Sequence, residues 1–421
     1  MPRGELVATG RALGKEFWAF FAAALCFDLG FAMYVFLYSL FLLDIGFNER
    51  QLGMVAGAMT LGSMVGVLPM GALAERAGLR RVLLAGFVIT PAIAALRPFF
   101  WSEHAQVALA FATGLSLCTW QVCFAPAIAA LTTEKTRTFA FSLMFSTGIA
   151  TGAAGGLAAG WLPGRLELMH LASGPTGAKR LVLLGCCVIY ALGIWPLIRL
   201  RLGGVSAGPG RVWRFDPFLY RYLPAMALWT LAAGAFVPFA QVYLAKQVHL
   251  ALPRIGEAFS VAQMAQVGAI LAAPVLLRRC GLVAGIAYTQ AVSGLALAGL
   301  ARAHGANAAV GLYLSFMAIH WMSGPGIYSL LMGRVAEGAR STASAANIFT
   351  STLCQSIASA AAGAAYVRFG YPTVLGTIAL MALASSGVFV ALLRDGVRAR
   401  IEAGLPGECS SPMPFSEVTR K

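Results

Sequence analysis

Apolar runs long enough to cross a lipid bilayer follow one another along nearly the whole chain. A hydrocarbon core about 30 Å thick needs about 20 residues of helix. Twelve runs meet that requirement: 17–43, 53–74, 80–101, 105–131, 138–162 and 180–200, then 222–245, 256–277, 282–301, 307–332, 341–366 and 372–393. The breaks between them are short, which leaves no room for an inserted aqueous domain. The expected fold class is therefore all-α: a polytopic membrane protein of 12 transmembrane helices. Composition agrees. Only 11% of the 421 residues are charged, against about 25% in soluble proteins, too few to cover the surface of a soluble domain. Secreted disulfide-rich, fibrous and disordered classes are excluded with it. The eight cysteines mostly sit inside apolar runs at no metal-ligand spacing and read as small buried hydrophobes. The first run continues to Gly46, too long for the apolar part of a signal peptide.

The formal net charge is +15. Its basic residues lie in short clusters between apolar runs, with no basic stripe interleaved with aromatics, so nucleic acid is not expected as a partner. The clusters instead obey the positive-inside rule. With the N-terminus inside, 22 of the 31 Lys and Arg residues fall on the inner side. Both termini are then cytoplasmic, and a bacterial cytoplasmic (inner) membrane is the expected location. The longest internal break, 201–221, reads RLGGVSAGPGRVWRFDPFLYR. It is rich in Gly, Pro and Arg and cannot span. It divides residues 1–200, one six-helix bundle, from residues 222–394, a second, followed by a polar cytoplasmic tail, 395–421.

The halves repeat each other at an offset near 203 residues. Gln51-Leu52-Gly53 and Arg254-Ile255-Gly256 open helices 2 and 8. Arg76 and Gly78 close helix 2 as Arg279 and Gly281 close helix 8. Trp120 and Trp321 lie in helices 4 and 10, Glu134 and Arg137 follow helix 4 as Glu337 and Arg340 follow helix 10, and Gly160 matches Gly363. Two six-helix halves of one topology explain the shared order, and internal repeats of this kind build transporters.

The segment between helices 2 and 3, Gly71-Ala-Leu-Ala-Glu75-Arg76-Ala-Gly78-Leu-Arg80-Arg81, resembles the signature loop of the major facilitator superfamily, G-x-L-a-D-r-x-G-r-[KR]-[KR]. Gly71, Leu73, Arg76, Gly78, Arg80 and Arg81 match, and Glu75 replaces the usual Asp. The resemblance covers residues 17 to 393 and implies two pseudo-symmetric six-helix bundles around a central cavity. Independently of the family, the two glycines permit a closely packed helix end and a sharp turn, and Arg80 and Arg81 hold the loop at the cytoplasmic face. The resemblance further implies that Glu75 meets the positive N-terminal end of helix 11, near Ser341-Thr342, and joins the halves there; a solvated charge is the plainer alternative. The second-half copy has Arg278 where Glu75 stands. Two family patterns fit incompletely. Helix 4 lacks the Arg found in many proton-driven members, and Gly148-x-x-x-Gly152-Ala153-Ala154-Gly155-Gly156 lacks the Pro of the exporter motif and is one residue short.

Candidate site residues are polar groups at membrane depth. Asp28 stands about 11 residues into helix 1, roughly 16 Å deep, where a carboxylate costs a few kcal/mol or more unless it faces a cavity or partner. It reads as a proton site or counter-charge, against a structural acid. His320, roughly 20 Å into helix 10, can change charge near neutral pH and is the second proton-coupling candidate, against a neutral structural histidine. The resemblance implies that helices 1 and 10 both line the cavity. Trp120 and Gln121 share the midplane of helix 4. Gln241, Gln263 and Gln266 are intramembrane amides of helices 7 and 8. Asn347, Ser351 and Gln355 recur at i, i+4, i+8 on one face of helix 11. These residues are the expected cavity lining, with packing as the alternative for each. Arg97, beside Pro98 at the outer end of helix 3, reads as a snorkelling residue.

The expected function is secondary active transport of a small organic solute by alternating access: proton-coupled export of a drug or metabolite, with uptake of a small metabolite as the alternative. No phosphate-binding G-x-x-x-x-G-K-[ST] is present, so ATP is not the expected driving force. No cofactor or metal is expected. Partners are the solute, protons and lipid, and the chain is expected to be a monomer. A membrane enzyme would need His, Asp and Glu clusters at depth. Only Asp28 and His320 approach that, which leaves an enzyme or receptor as the remote reading.

Overall fold

In a computed structural model the chain is described over residues 13–200, 217–335 and 340–402, and those residues hold helices and no strand. We number the helical segments α1 (Lys15–Asp44), α2 (Glu49–Ala77), α3 (Leu79–Phe99), α4 (Glu103–Leu131), α5 (Glu134–Leu168), α6 (Gly174–Arg199), α7 (Pro217–Lys246), α8 (Leu252–Cys280), α9 (Leu282–Leu300), α10 (306–334), α11 (340–369) and α12 (371–402).

Ten stretches are both long and apolar enough to cross a membrane, against twelve expected. One difference lies in α10, which Ser323 divides into pieces of 17 and 11 residues. Gly324-Pro325 follows that break, and a proline removes a donor and clashes with the preceding turn. The other lies in Thr342–Leu393, a single 52-residue stretch by length, interrupted at Gly370 (φ 75°, ψ 165°). The chain doubles back there. Ser386 Oγ of α12 donates to the carbonyl of Ala287 on α9, while Ala379 lies against Gly294, so α12 runs antiparallel to α9. Two expected boundaries also move. Residues 217–221 begin α7 instead of ending the linker, and α12 continues to Glu402, eight residues into the expected tail. The rest of that tail lies outside the described residues.

Local chemistry sets the helix ends. Asn48 and Gln51 form a reciprocal capping box at the start of α2, Asn48 N–H to Gln51 Oε1 (3.0 Å) and Gln51 N–H to Asn48 Oδ1 (3.1 Å). Gly78 and Gly281, 203 residues apart, make the turns α2–α3 and α8–α9 with φ of 89° and 82°, a region that favours glycine. The repeat thus recurs in backbone conformation. Trp120 and Trp321 do not share it. Their offset is two residues short, and Trp120 is buried while Trp321 is exposed.

The first and second halves meet along two seams related by the same offset. On one, Gly53 of α2 meets Gly363 of α11; on the other, Gly256 of α8 meets Gly160 of α5. A Cβ added at Gly53 would stand 3.1 Å from the Gly363 Cα, and one added at Gly160 would stand 3.1 Å from the Gly256 Cα. About a turn farther along each seam a serine hydroxyl crosses it: Ser356 Oγ donates to the Gly57 carbonyl (2.8 Å), and Ser260 Oγ to the Ala153 carbonyl (2.6 Å). In lipid, where apolar burial does not drive helix association, such small-residue approach and interhelical hydrogen bonds do. Gly256→Val would place its Cβ 2.6 Å from the Gly156 carbonyl oxygen. The expected result is a parted α5–α8 seam, checked as faster alkylation of a cysteine introduced at Ala153.

Arg97 departs from the snorkelling expected of it. Its side chain is 2% exposed, and its guanidinium lies 4.0 Å above the centre of the Tyr38 ring. Tyr38 in turn donates to Gln106 Oε1, and Gln106 Nε2 donates to the Arg97 carbonyl (2.7 Å). The short helical turn Arg97–Phe99 directs the chain inward, where an aromatic face and a buried amide receive it.

Candidate functional site

Both seams lie toward the end of the bundle that holds residues 45–48, here the loop-46 end. The opposite end, with the Gly78 turn, is the loop-78 end. Past Gly57 on α2, and before Ser356 on α11, the helices part around a cavity of about 320 Å³. This is at the small end of the range of roughly 300–1,000 Å³ for small-molecule sites. α1 supplies Phe27 and Phe31. α2 supplies Met59, Thr60, Ser63, Met64 and Val67. Leu117, Trp120 and Gln121 come from α4, and Ile348, Thr352 and Gln355 from α11.

Three of the eight cavity residues expected from sequence line this space: Trp120, Gln121 and Gln355. Trp120 is 9% exposed and stacked on Phe27, ring centres 4.4 Å apart, and on Phe20 at 5.6 Å. It is a fixed piece of wall. The other five lie elsewhere; Ser351 is half-buried on α11 and is not among the lining residues. Asn347 is buried and accepts from the Tyr222 hydroxyl (3.2 Å), which joins α11 to α7. Gln263 Nε2 sits against Gly152 in the α5–α8 seam, 2.6 Å from where a Cβ there would stand. Gln266 is buried with an unpartnered Nε2. Gln241 is half-buried just past the break in α7.

The two proton-coupling candidates stand apart. Asp28 is half-buried and faces α5: a Cβ added at Gly148 would be 3.2 Å from Asp28 Oδ2. Among the described residues no hydrogen bond or ion pair engages its carboxyl. His320 is packed in an aromatic group of the second half, 5.2 Å from Trp229 and 5.5 Å from Phe316 between ring centres, with Nδ1 unpartnered. It lies in the last turn of the first piece of α10, which ends at Met322, and its carbonyl accepts from Ser323 Oγ (2.7 Å) at the break.

In the signature loop, Glu75, Arg76 and Arg81 are exposed, and Glu75 has no ion pair among the described residues. Arg80 donates to the Ile198 carbonyl, a cation on the last carbonyls of α6. Gly71 has nothing within 4 Å of an added Cβ, so the close packing expected of it does not occur in this arrangement.

The site also holds a lock that sequence reading missed. Glu49 on α2 is buried. Lys246 Nζ of α7 lies 2.7 Å from its Oε1, and the Tyr371 hydroxyl of α12 donates to the same oxygen (3.2 Å). Tyr371 stacks on Tyr366, ring centres 4.5 Å apart. The pair ties the two halves together at the loop-46 end. The signal available was weak: an acid at a capped helix start and a lysine 197 positions later, neither at membrane depth.

Sequence comparison decides the family. The profile of the Major Facilitator Superfamily matches residues 20–359. The chain belongs to the major facilitator superfamily. Solved structures of similar fold agree. The nucleoside transporter NupG superposes with a TM-score of 0.71 at 12% identity, covering 90% of this chain and 100% of that one. A bacterial homolog of the human lysosomal transporter Spinster, inward-facing and occupied, gives 0.73 at 10% identity, covering 91% and 97%. A bacterial homologue of the iron transporter ferroportin, inward-facing, gives 0.66 at 16% identity, covering 90% and 98%. No curated relative matches the sequence itself. As a superfamily member the chain is a multi-pass membrane transporter, and the mirrored seams supply the geometry such a protein needs.

Proposed function

We propose that the chain is a secondary active transporter that moves a small organic solute by alternating access, with residues 1–200 and 222–394 as the two rocking bundles. The observation that carries this reading is the closure of one end by paired, symmetry-related seams and an inter-half ion pair, with a cavity directly behind it. A rigid-body rock that parts the loop-46 seams and closes the loop-78 end would expose the cavity to the other side. Glu75 then acquires the start of α11 as partner, and Gly71 its close packing, in the opposite state. Their lack of partners here is what a single-sided closure requires.

The distribution of Lys and Arg supports a cytoplasmic loop-78 end and cytoplasmic termini in a bacterial inner membrane, which makes the state described here inward-open. Cysteines placed singly near Arg80 or Arg278 are expected to resist impermeant thiol reagents in intact cells. Those near Asn48 and His304 are expected to label. Opposite labelling reverses the orientation.

Energy comes from the proton gradient, with Asp28 as the carrier and His320 as a modulator, and the direction is export. Asp28 is the one acid deep in a span, half-buried and unpartnered among the described residues, as a group that must gain and lose a proton requires. Flux of a solute into proteoliposomes, with and without an imposed pH gradient, tests the reading. Uphill movement only with the gradient supports it; flux indifferent to the gradient contradicts coupling but not transport.

A further inference from the structure

The cavity lining combines two chemistries. Phe31 stacks on Phe27 (5.6 Å between ring centres, 14° between planes), and Phe27 stacks on Trp120. Phe27 and Trp120 are held from behind by Phe87, 6.0 and 5.8 Å away. This wall is flat, apolar and immobilised, and a flat π-face is matched best by another in an offset stack. The same space is lined by two primary amides, Gln121 from the first half and Gln355 from the second. Neither has a hydrogen-bond partner among the described residues. Each offers two N–H donors and a carbonyl acceptor.

The remaining polar groups are acceptors only. The hydroxyls of Thr60, Ser63 and Thr352 already donate to the carbonyls of Ala56, Gly114 and Ile348 (3.0, 3.0 and 2.7 Å). No charged side chain is among the described residues that line the cavity. An ion entering it would lose its hydration without a countercharge. Asp28, the nearest acid on α1, faces Gly148 of α5 and not the cavity.

We infer that the transported solute is an uncharged, planar heteroaromatic compound with an amide-like edge, stacked on Phe31 and read by Gln121 and Gln355. This deepens the transporter reading and rests on it. The carboxamides belong to opposite halves, so a solute that bridges them ties its own binding to the relative position of the bundles. The proton site and the solute site are then separate, and the solute does not compete directly for Asp28.

The test uses the purified full chain in nanodiscs, with uracil, hypoxanthine and carbostyril as uncharged lactam probes. Caffeine serves as a planar probe without an N–H donor, and tetraphenylphosphonium and benzoate serve as ions. Calorimetry should show at least one lactam binding more than tenfold tighter than caffeine, and neither ion displacing it. Gln121→Leu and Gln355→Leu should each weaken that lactam about tenfold, the loss of one satisfied hydrogen-bond partner. Gln355→Asn, which keeps an amide, should retain more affinity than Gln355→Leu and guards against a folding defect. Absence of lactam binding, lactam affinity indifferent to both Leu variants, or tighter binding of either ion would overturn the inference. Gradient-driven flux of tetraphenylphosphonium would do so while leaving the transporter reading intact. Absence of gradient-driven flux for every bound probe would fail that reading instead.

Discussion

Replacing Glu49 by Gln should open the loop-46 end. The substitution keeps the shape and leaves a carbonyl oxygen for the Tyr371 hydroxyl, but it removes the charge that faces Lys246. Removing one partner of a buried ion pair costs about 3–5 kcal/mol. Here Lys246 is 44% exposed at its side chain and Glu49 8%, so water screens part of the interaction. An effect on the order of 2 kcal/mol remains, about a thirtyfold shift in the ratio of states. It acts on a single conformation, because the pair joins the two halves only where the seams are closed. The expected readout is a cysteine at Ala153 that becomes reactive from the loop-46 side. Thermal stability of each bundle should change little, since the seams and not the bundle cores lose the contact. Lys246→Met should act in the same direction. A charge-swapped double variant, Glu49→Lys with Lys246→Glu, should recover part of the closure.

The second large effect concerns Asp28. Asp28→Asn should abolish transport driven by a pH gradient while leaving solute binding and downhill flux measurable. The amide keeps the size of the side chain against Gly148 but cannot exchange a proton. No other acid lies at comparable depth, so no substitute carrier stands nearby. His320→Gln should shift the pH optimum more than the maximal rate, because the imidazole packs among Trp229 and Phe316, away from the cavity walls. Uphill transport at the unsubstituted level in Asp28→Asn would make Asp28 a structural acid.

Much of the fold was legible in the chain because lipid imposes a length on each apolar segment. The gaps arose where length stops being diagnostic. The break at Ser323 sits inside one continuous apolar run, 307–332, and does not change its hydropathy, whereas the reversal at Gly370 falls in the short break expected between 366 and 372. The repeat pointed to Gly53, Gly160, Gly256 and Gly363 one by one, yet which glycine meets which depends on the packing of helices from opposite halves. Site residues were legible by depth and not by direction. Asn347, Ser351 and Gln355 share a helical face in projection, but eight residues of α-helix also rotate by about 80°. That suffices to turn Asn347 toward Tyr222 while Gln355 faces the cavity. Gln121 and Trp120 are chain neighbours about 100° apart around α4, yet both border the same space. The lock between Glu49 and Lys246 was invisible for a different reason. Its partners stand at helix ends, where charge is ordinary, and only the fold brings them together.

The central claim is that the two halves exchange closure between the ends of the molecule. Pulsed electron paramagnetic resonance on a cysteine-free background tests it directly, with one spin-label pair at Arg50 and His304 and another at Arg76 and Arg279. In the unsubstituted chain the loop-46 pair should give a short distance and the loop-78 pair a long one. In Glu49→Gln the loop-46 distance should lengthen while the loop-78 distance shortens, in matching fractions of the population. Distances at both ends that stay unchanged, or that lengthen together, would contradict alternating access.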